Sequence, residues 1–170
     1  MNKWVKGLIV SLASVSFFGV ASTIPVHAAS KAVALPKSYR GSWYLYGGAE
    51  TVGKKKAPVF TYARVKLAPK KVTYSICTST APTLKKPVWQ VSFVAPLIYT
   101  KKVAKKTHKV SYRMVLRMTS GTPAITLSKA KVKVKILGKK VPALRVKVSG
   151  TKFYAFRQPL PSHSVGDLLE

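Results

Sequence analysis

Side chains that run acid–base or nucleophilic chemistry are scarce in this chain of 170 residues, which has one cysteine, three histidines and three acidic residues. The acids are Glu50, Asp167 and Glu170, two of them within the last four positions. A glycosidase site needs two carboxyl groups flanking the scissile bond, and Glu50 has no acidic companion in the body of the chain. His108 lies in the lysine-rich "KKVAKKTHK", and His163 lies near the end in "PSHS"; neither belongs to a nucleophile-elbow motif. Cys77, in "VTYSICTST", would form a nucleophilic pair with His108 only if folding brought the two together. A lone cysteine makes no internal disulfide, and its expected place is the core. No histidines, cysteines and aspartates cluster at metal-ligand spacing, and no glycine-rich loop joins a strand to a helix to cradle phosphate. The expectation is a protein that is not an enzyme and needs no cofactor.

What the chain has in abundance is lysine. "KAKVKVKILGKK", residues 129–140, alternates lysine with aliphatic residues. In an extended strand alternate side chains point to opposite faces. Lys131, Lys133 and Lys135 then share one face, and Val132, Val134 and Ile136 share the other, which is expected to be buried. Lys139, Lys140, Arg145 and Lys147 continue the basic series into the next segment. Lysines on strands blunt edge-to-edge aggregation, but mixed charges would keep a sheet soluble equally well. The near absence of acids therefore points to a polyanionic partner, because a single-sign charge of +28 destabilises the compact state by self-repulsion.

The start of the chain indicates the compartment. Lys3 and Lys6 precede an apolar, uncharged run from Gly7 to Val20, and Val26 and Ala28 stand at the −3 and −1 positions of a signal peptidase site. The run is short for a membrane span, which needs roughly 20 residues. Residues 1–28 read as a signal peptide cut between Ala28 and Ala29, implying a secreted protein. Cleavage removes Lys3 and Lys6 and leaves 29 of the 31 basic residues against the same three acids.

The elements that must position these lysines are strands. Residues 29–39 read as an extended lead-in, 40–158 as one all-β domain and 159–170 as a flexible tail. The strand candidates are 40–46, 59–67, 71–77, 88–94, 110–118, 124–127, 131–137, 144–148 and 152–156, rich in Val, Thr and Tyr and separated by Gly- and Pro-containing turns. In 110–118, Val110, Tyr112, Met114, Leu116 and Met118 share a face opposite Arg113 and Arg117. Residues 95–109 form the least regular segment, with Lys101, Lys102, Lys105, Lys106 and Lys109. About eight strands at regular spacing predict a single antiparallel barrel or sandwich.

"YRGSWYLY" resembles the first strand of the lipocalin and calycin group, whose Gly-x-Trp motif is matched by Gly41 and Trp43. The resemblance implies an eight-stranded barrel in which Trp43 closes one end and an arginine after the last strand packs over its ring. Arg157, after "KFYAF", stands where that arginine belongs. The two ends of the chain also look like small secreted lactobacillal proteins, a likeness that implies no activity. The middle motif and bracing disulfide of animal lipocalins are missing.

These features favour a monomeric protein held at a Gram-positive cell wall by contact with anionic polymers of the teichoic acid type. Two alternatives stand beside it: a lipocalin-like carrier of a small ligand, and an extracellular nucleic-acid binder stacking bases on Tyr99, Tyr112 and Trp89 among the basic residues.

Overall fold

A computed structural model of the protein describes residues 31–52, 57–116 and 125–161. The expected cleavage site at Ala28 and Ala29, along with Arg117, His163, Asp167 and Glu170, lies outside the described residues. The strands are β1 (Ala32–Val33), β2 (Gly41–Val52), β3 (Ala57–Leu67), β4 (Lys71–Ser79), β5 (Val88–Val103), β6 (Val110–Leu116), β7 (Ile125–Val134), β8 (Lys139–Val148) and β9 (Thr151–Phe156). Consecutive strands from β2 to β9 pair antiparallel, and β9 returns to β2 through Tyr44 and Phe156. The result is a closed eight-stranded antiparallel barrel, with β1 added along the distal part of β5.

Closure explains the longest strand. β5 pairs with β4 from Val88 to Pro96 and with β6 from Leu97 to Val103. Pro96, which has no N–H to give a ladder, sits where the exchange occurs. Strand neighbours followed once around the barrel from Ser92 pass through Ser75, Arg64, Tyr44, Phe156, Ala143 and Ala130, and return to β5 about a dozen residues further on, near Ala104. Such a stagger tilts the strands steeply and requires one strand long enough to serve both neighbours. Residues 95–103, read from the sequence as irregular, are therefore strand.

The interior is filled by alternate residues of every strand. Trp43, Leu45, Leu67, Val72, Leu97, Tyr99, Tyr112, Met114, Ile125, Leu127, Leu144, Phe153 and Ala155 form one buried cluster, joined by Leu35 and Tyr39 from the lead-in. Leu35 and Tyr39 flank and belong to a 3-10 turn (Lys37–Tyr39) that crosses one end of the barrel.

The segment 124–137 departs most from expectation. The two separate strands predicted there are one strand, β7, and it stops at Val134. Lys135–Leu137 is a 3-10 turn followed by Gly138 in the left-handed region at φ 61°. Alternation stops where the strand stops, so Ile136 is 68 % exposed instead of buried beside Val132 and Val134. The side that holds the core also changes along β7. Ile125 and Leu127 point into the barrel, and Lys129, Lys131 and Lys133 continue on that same face, all exposed. The opposite face carries Val132 and Val134, which join a second cluster outside the main core with Val141, Ala143, Tyr154, Phe156 and Leu160.

Candidate polyanion-binding pole

In a barrel of consecutive antiparallel strands, successive turns lie at alternate ends. The turns at 68–70, 104–109 and 135–138 consequently share one end, as do the 3-10 turn before β2 and the chain leaving β9. Residues 101–109 contain five lysines and residues 131–140 five more, all exposed. Lys37, Lys70 and Lys71 add to the same end. Glu50, the one acidic residue among those described, lies near the far end of β2. Topology therefore gathers stretches of sequence about 30 residues apart into one cationic pole.

Hairpin β7–β8 projects furthest. β6 pairs with β7 only as far as Ser128, and β9 pairs with β8 only as far as Ala143, opposite Ala130. Beyond Ala130, as far as Val134, the hairpin has no other strand on either side among the described residues, an overhang of about 13 Å at the usual strand rise. Its outer face is held by the Val132–Val134–Leu160 cluster, and its inner face presents lysine across the end of the barrel. Lys129 Nζ lies 5.4 Å from the ring centroid of Tyr39, the last residue of the 3-10 turn. Lys133 stands directly opposite Lys140 in the ladder, a like-charge pairing that opposes folding.

The floor of the pole is built around Gly41 and Trp43. The Arg157 guanidinium carbon sits 3.7 Å from the Trp43 ring centroid. Arg157 Nη1 donates to Arg40 O at 2.6 Å and Ser42 O at 3.3 Å, and Nη2 donates to Ser38 O at 3.1 Å. Trp43 Nε1 donates to Tyr39 O at 2.7 Å, and Arg40 Nε to Leu35 O at 2.6 Å. Gly41 is required twice over: its φ is +95°, and a Cβ there would meet Arg157 Nη1 at 2.9 Å. The pairing of Trp43 with Arg157, expected from the sequence, is present with both partners in van der Waals contact.

The candidate residues do not all fall together. Lys131, Lys133, Lys135, Lys139 and Lys140 belong to the overhang. Arg145 and Lys147 run away from it along β8; Arg145 is half-buried, with its guanidinium 5.9 Å from the Tyr154 ring centroid, and Lys147 faces Lys152 near the opposite end. The lysines of 101–109 are the larger omission from the basic series. Their clustering is visible in the sequence, but their alignment with 131–140 depends on a register that composition does not reveal.

Other candidates separate as well. Cys77 is buried on β4, its Sγ 3.6 Å from Tyr62 O, and burial pushes its thiol up to about 11 despite the opposing influence of Arg64. His108 is exposed in the β5–β6 turn at the pole, with φ 51°. Cys77 pairs with Trp89 at the other end of β5, so the two make no catalytic pair. Tyr99 and Tyr112 are interior residues and offer no surface for stacking bases. Trp89 is exposed, but the Arg64 guanidinium lies 3.8 Å from its ring centroid. A groove of 460 Å³ opens beside β1, lined by Ala32–Ala34, Pro69, Lys70 and 96–99; it lies between β1 and the β3–β4 turn. No helix among the described residues is long and apolar enough to cross a membrane.

No protein-family model, no curated protein and no solved structure matches the chain.

Proposed function

We propose that this protein is a secreted, non-enzymatic binding protein held at a Gram-positive envelope by electrostatic contact with anionic wall polymers of the teichoic acid type. One observation carries the reading: the lysines of 101–109 and 131–140, with Lys37, Lys70 and Lys71, share a single end with no described acidic residue among them, while Lys85, Lys86, Lys147 and Lys152 lie toward the other end with Glu50. A repeating phosphate chain suits such a pole. It needs many cations at loose spacing and no shaped pocket, and each lysine close to an anionic surface contributes about 1 kcal/mol, less as salt rises.

The carrier alternative gains little from the interior, where aromatic rings occupy the core. A nucleic-acid partner would meet the same cationic end, without Tyr99 and Tyr112 as stacking platforms.

The test is a pull-down on purified cell walls, with and without teichoic acid, across a salt series. Retention should fall steeply with salt and should disappear from walls stripped of the polymer. Equal retention on stripped walls, or resistance to molar salt, removes the reading.

A further inference from the structure

The cationic pole carries a feature that polymer binding does not need. The tip of its furthest-projecting hairpin is capped with exposed aliphatic residues, and a second exposed aliphatic pair lies on the hairpin beside it. At the β7–β8 tip, Ile136 is 68 % and Leu137 43 % exposed, on a 3-10 turn between Lys135 and Lys139. On the neighbouring β5–β6 hairpin, Val103 and Val110 form the last cross-strand pair before the 104–109 turn, both exposed, with Lys101 and Lys102 before them and three lysines in the turn between them. β6 and β7 are adjacent strands, so the two hairpins stand side by side at the same end of the barrel.

Lone exposed aliphatics are ordinary on protein surfaces. Here two lie on the turn that closes the furthest-projecting hairpin, between Lys135 and Lys139, and a second exposed pair lies on the neighbouring hairpin. A hydrated polyphosphate chain offers nothing to Ile136 and Leu137. An anionic bilayer offers both parts of the match: headgroup charge for the lysines and hydrocarbon just beneath it for the tip. Lysines with long alkyl stems can hold their ammonium groups at the headgroups while neighbouring residues go deeper.

We infer that the barrel docks end-on to anionic lipid bilayers, inserting Ile136 and Leu137, while the surrounding lysines, those of the 104–109 turn included, engage the headgroups. The barrel does not cross the bilayer in this arrangement. The backbone at the tip favours insertion. Residues 135–138 close their own turn through a hydrogen bond from Gly138 N–H to Lys135 O at 3.0 Å, which lowers the cost of bringing that backbone near hydrocarbon.

The test is co-sedimentation with phosphatidylglycerol-containing vesicles and with phosphatidylcholine vesicles, comparing wild type with Ile136→Ser/Leu137→Ser. Both residues are exposed, so the variant should fold, checked by its circular dichroism and melting temperature. The variant should partition to anionic vesicles about tenfold or more weakly, because two buried aliphatics are lost. Its binding to teichoic acid should not change. Neither neutral-vesicle sample should sediment. In parallel, Ile136→Trp should show a blue-shifted emission with anionic vesicles and quenching by brominated lipid. Equal partitioning of wild type and the double serine variant, or no spectral shift of the introduced tryptophan, overturns the proposal and leaves a purely electrostatic contact. Loss of polymer binding with vesicle insertion intact would instead strike the wall-polymer reading alone. Because the variants share residues 1–30 with wild type, any difference between them arises at the tip.

Discussion

At the scale of single residues, the side chains of Arg157 and Trp43 fasten the two ends of the barrel's chain together. Arg157 follows the last strand, and its guanidinium both covers Trp43 and donates to three carbonyls between Ser38 and Ser42. The cation–π contact contributes on the order of 0.5–2 kcal/mol, and hydrogen bonds from a charged donor add to it. Arg157→Ala should destabilise the fold by about 2–3 kcal/mol, read from chemical denaturation. Arg157→Lys should recover little of that, because an ammonium group lacks the planar fork that reaches several acceptors while lying on a ring. Gly41→Ala should cost about 2 kcal/mol, combining strain at φ +95° with the close approach to Nη1. If the lysine variant is as stable as wild type, charge alone explains Arg157 and the geometric account is wrong.

At the scale of elements, hairpin β7–β8 separates binding from folding. Lys131, Lys133 and Lys135 are exposed, whereas Val134 is fully buried. Replacing the three lysines together by glutamine should lower wall retention and leave stability unchanged or slightly raised, since Lys133 no longer opposes Lys140. Val134→Ala should loosen the overhang by roughly 1–2.5 kcal/mol, as expected for truncating a packed aliphatic. Ile136→Ala should leave stability nearly untouched, because that side chain packs against nothing in the core. Melting curves of the three variants, set beside their retention on walls, check all of this at once. A triple glutamine variant that stays on the wall as tightly as wild type at every salt concentration would remove the overhang from the contact.

At the scale of the whole molecule, the charge acts through folding as well as through partners. The described residues hold one acid, Glu50, among more than twenty bases, so ladders such as Lys133–Lys140 and Lys147–Lys152 set cation against cation. The large interior cluster offsets this repulsion. Screening should then stabilise the protein: its melting temperature should rise as sodium chloride goes from low millimolar to about 0.15 M, where the Debye length falls to about 8 Å. A short polyphosphate should raise it further at far lower concentration, because a ligand that binds only the folded state adds stability by mass action. A melting temperature indifferent to both would show that the poles of charge are too well solvated to oppose folding.

Period-two patterning and turn residues are local signals repeated along the chain, and they were enough to identify a single antiparallel all-β domain. Those signals left barrel and sandwich open, and the pairing of β9 with β2 decided for the barrel. Both halves of the Trp43–Arg157 contact were located by resemblance to a known first-strand motif, since a Gly-x-Trp pair and an arginine just after the last strand are short signals that survive without knowledge of register. Local alternation identified Val132 and Val134 correctly as packed and Lys131 and Lys133 as exposed. It failed at Ile136, because where a strand stops is decided by the turn that closes it. It could not reveal that the inward face of β7 changes from Ile125 and Leu127 to lysine, since that depends on where neighbouring strands end. Above all, the cationic pole belongs to the tertiary structure. Residues 101–109 and 131–140 meet there because barrel closure staggers the strands and sends alternate turns to the same end, a constraint that acts between strands and leaves no trace in either segment alone.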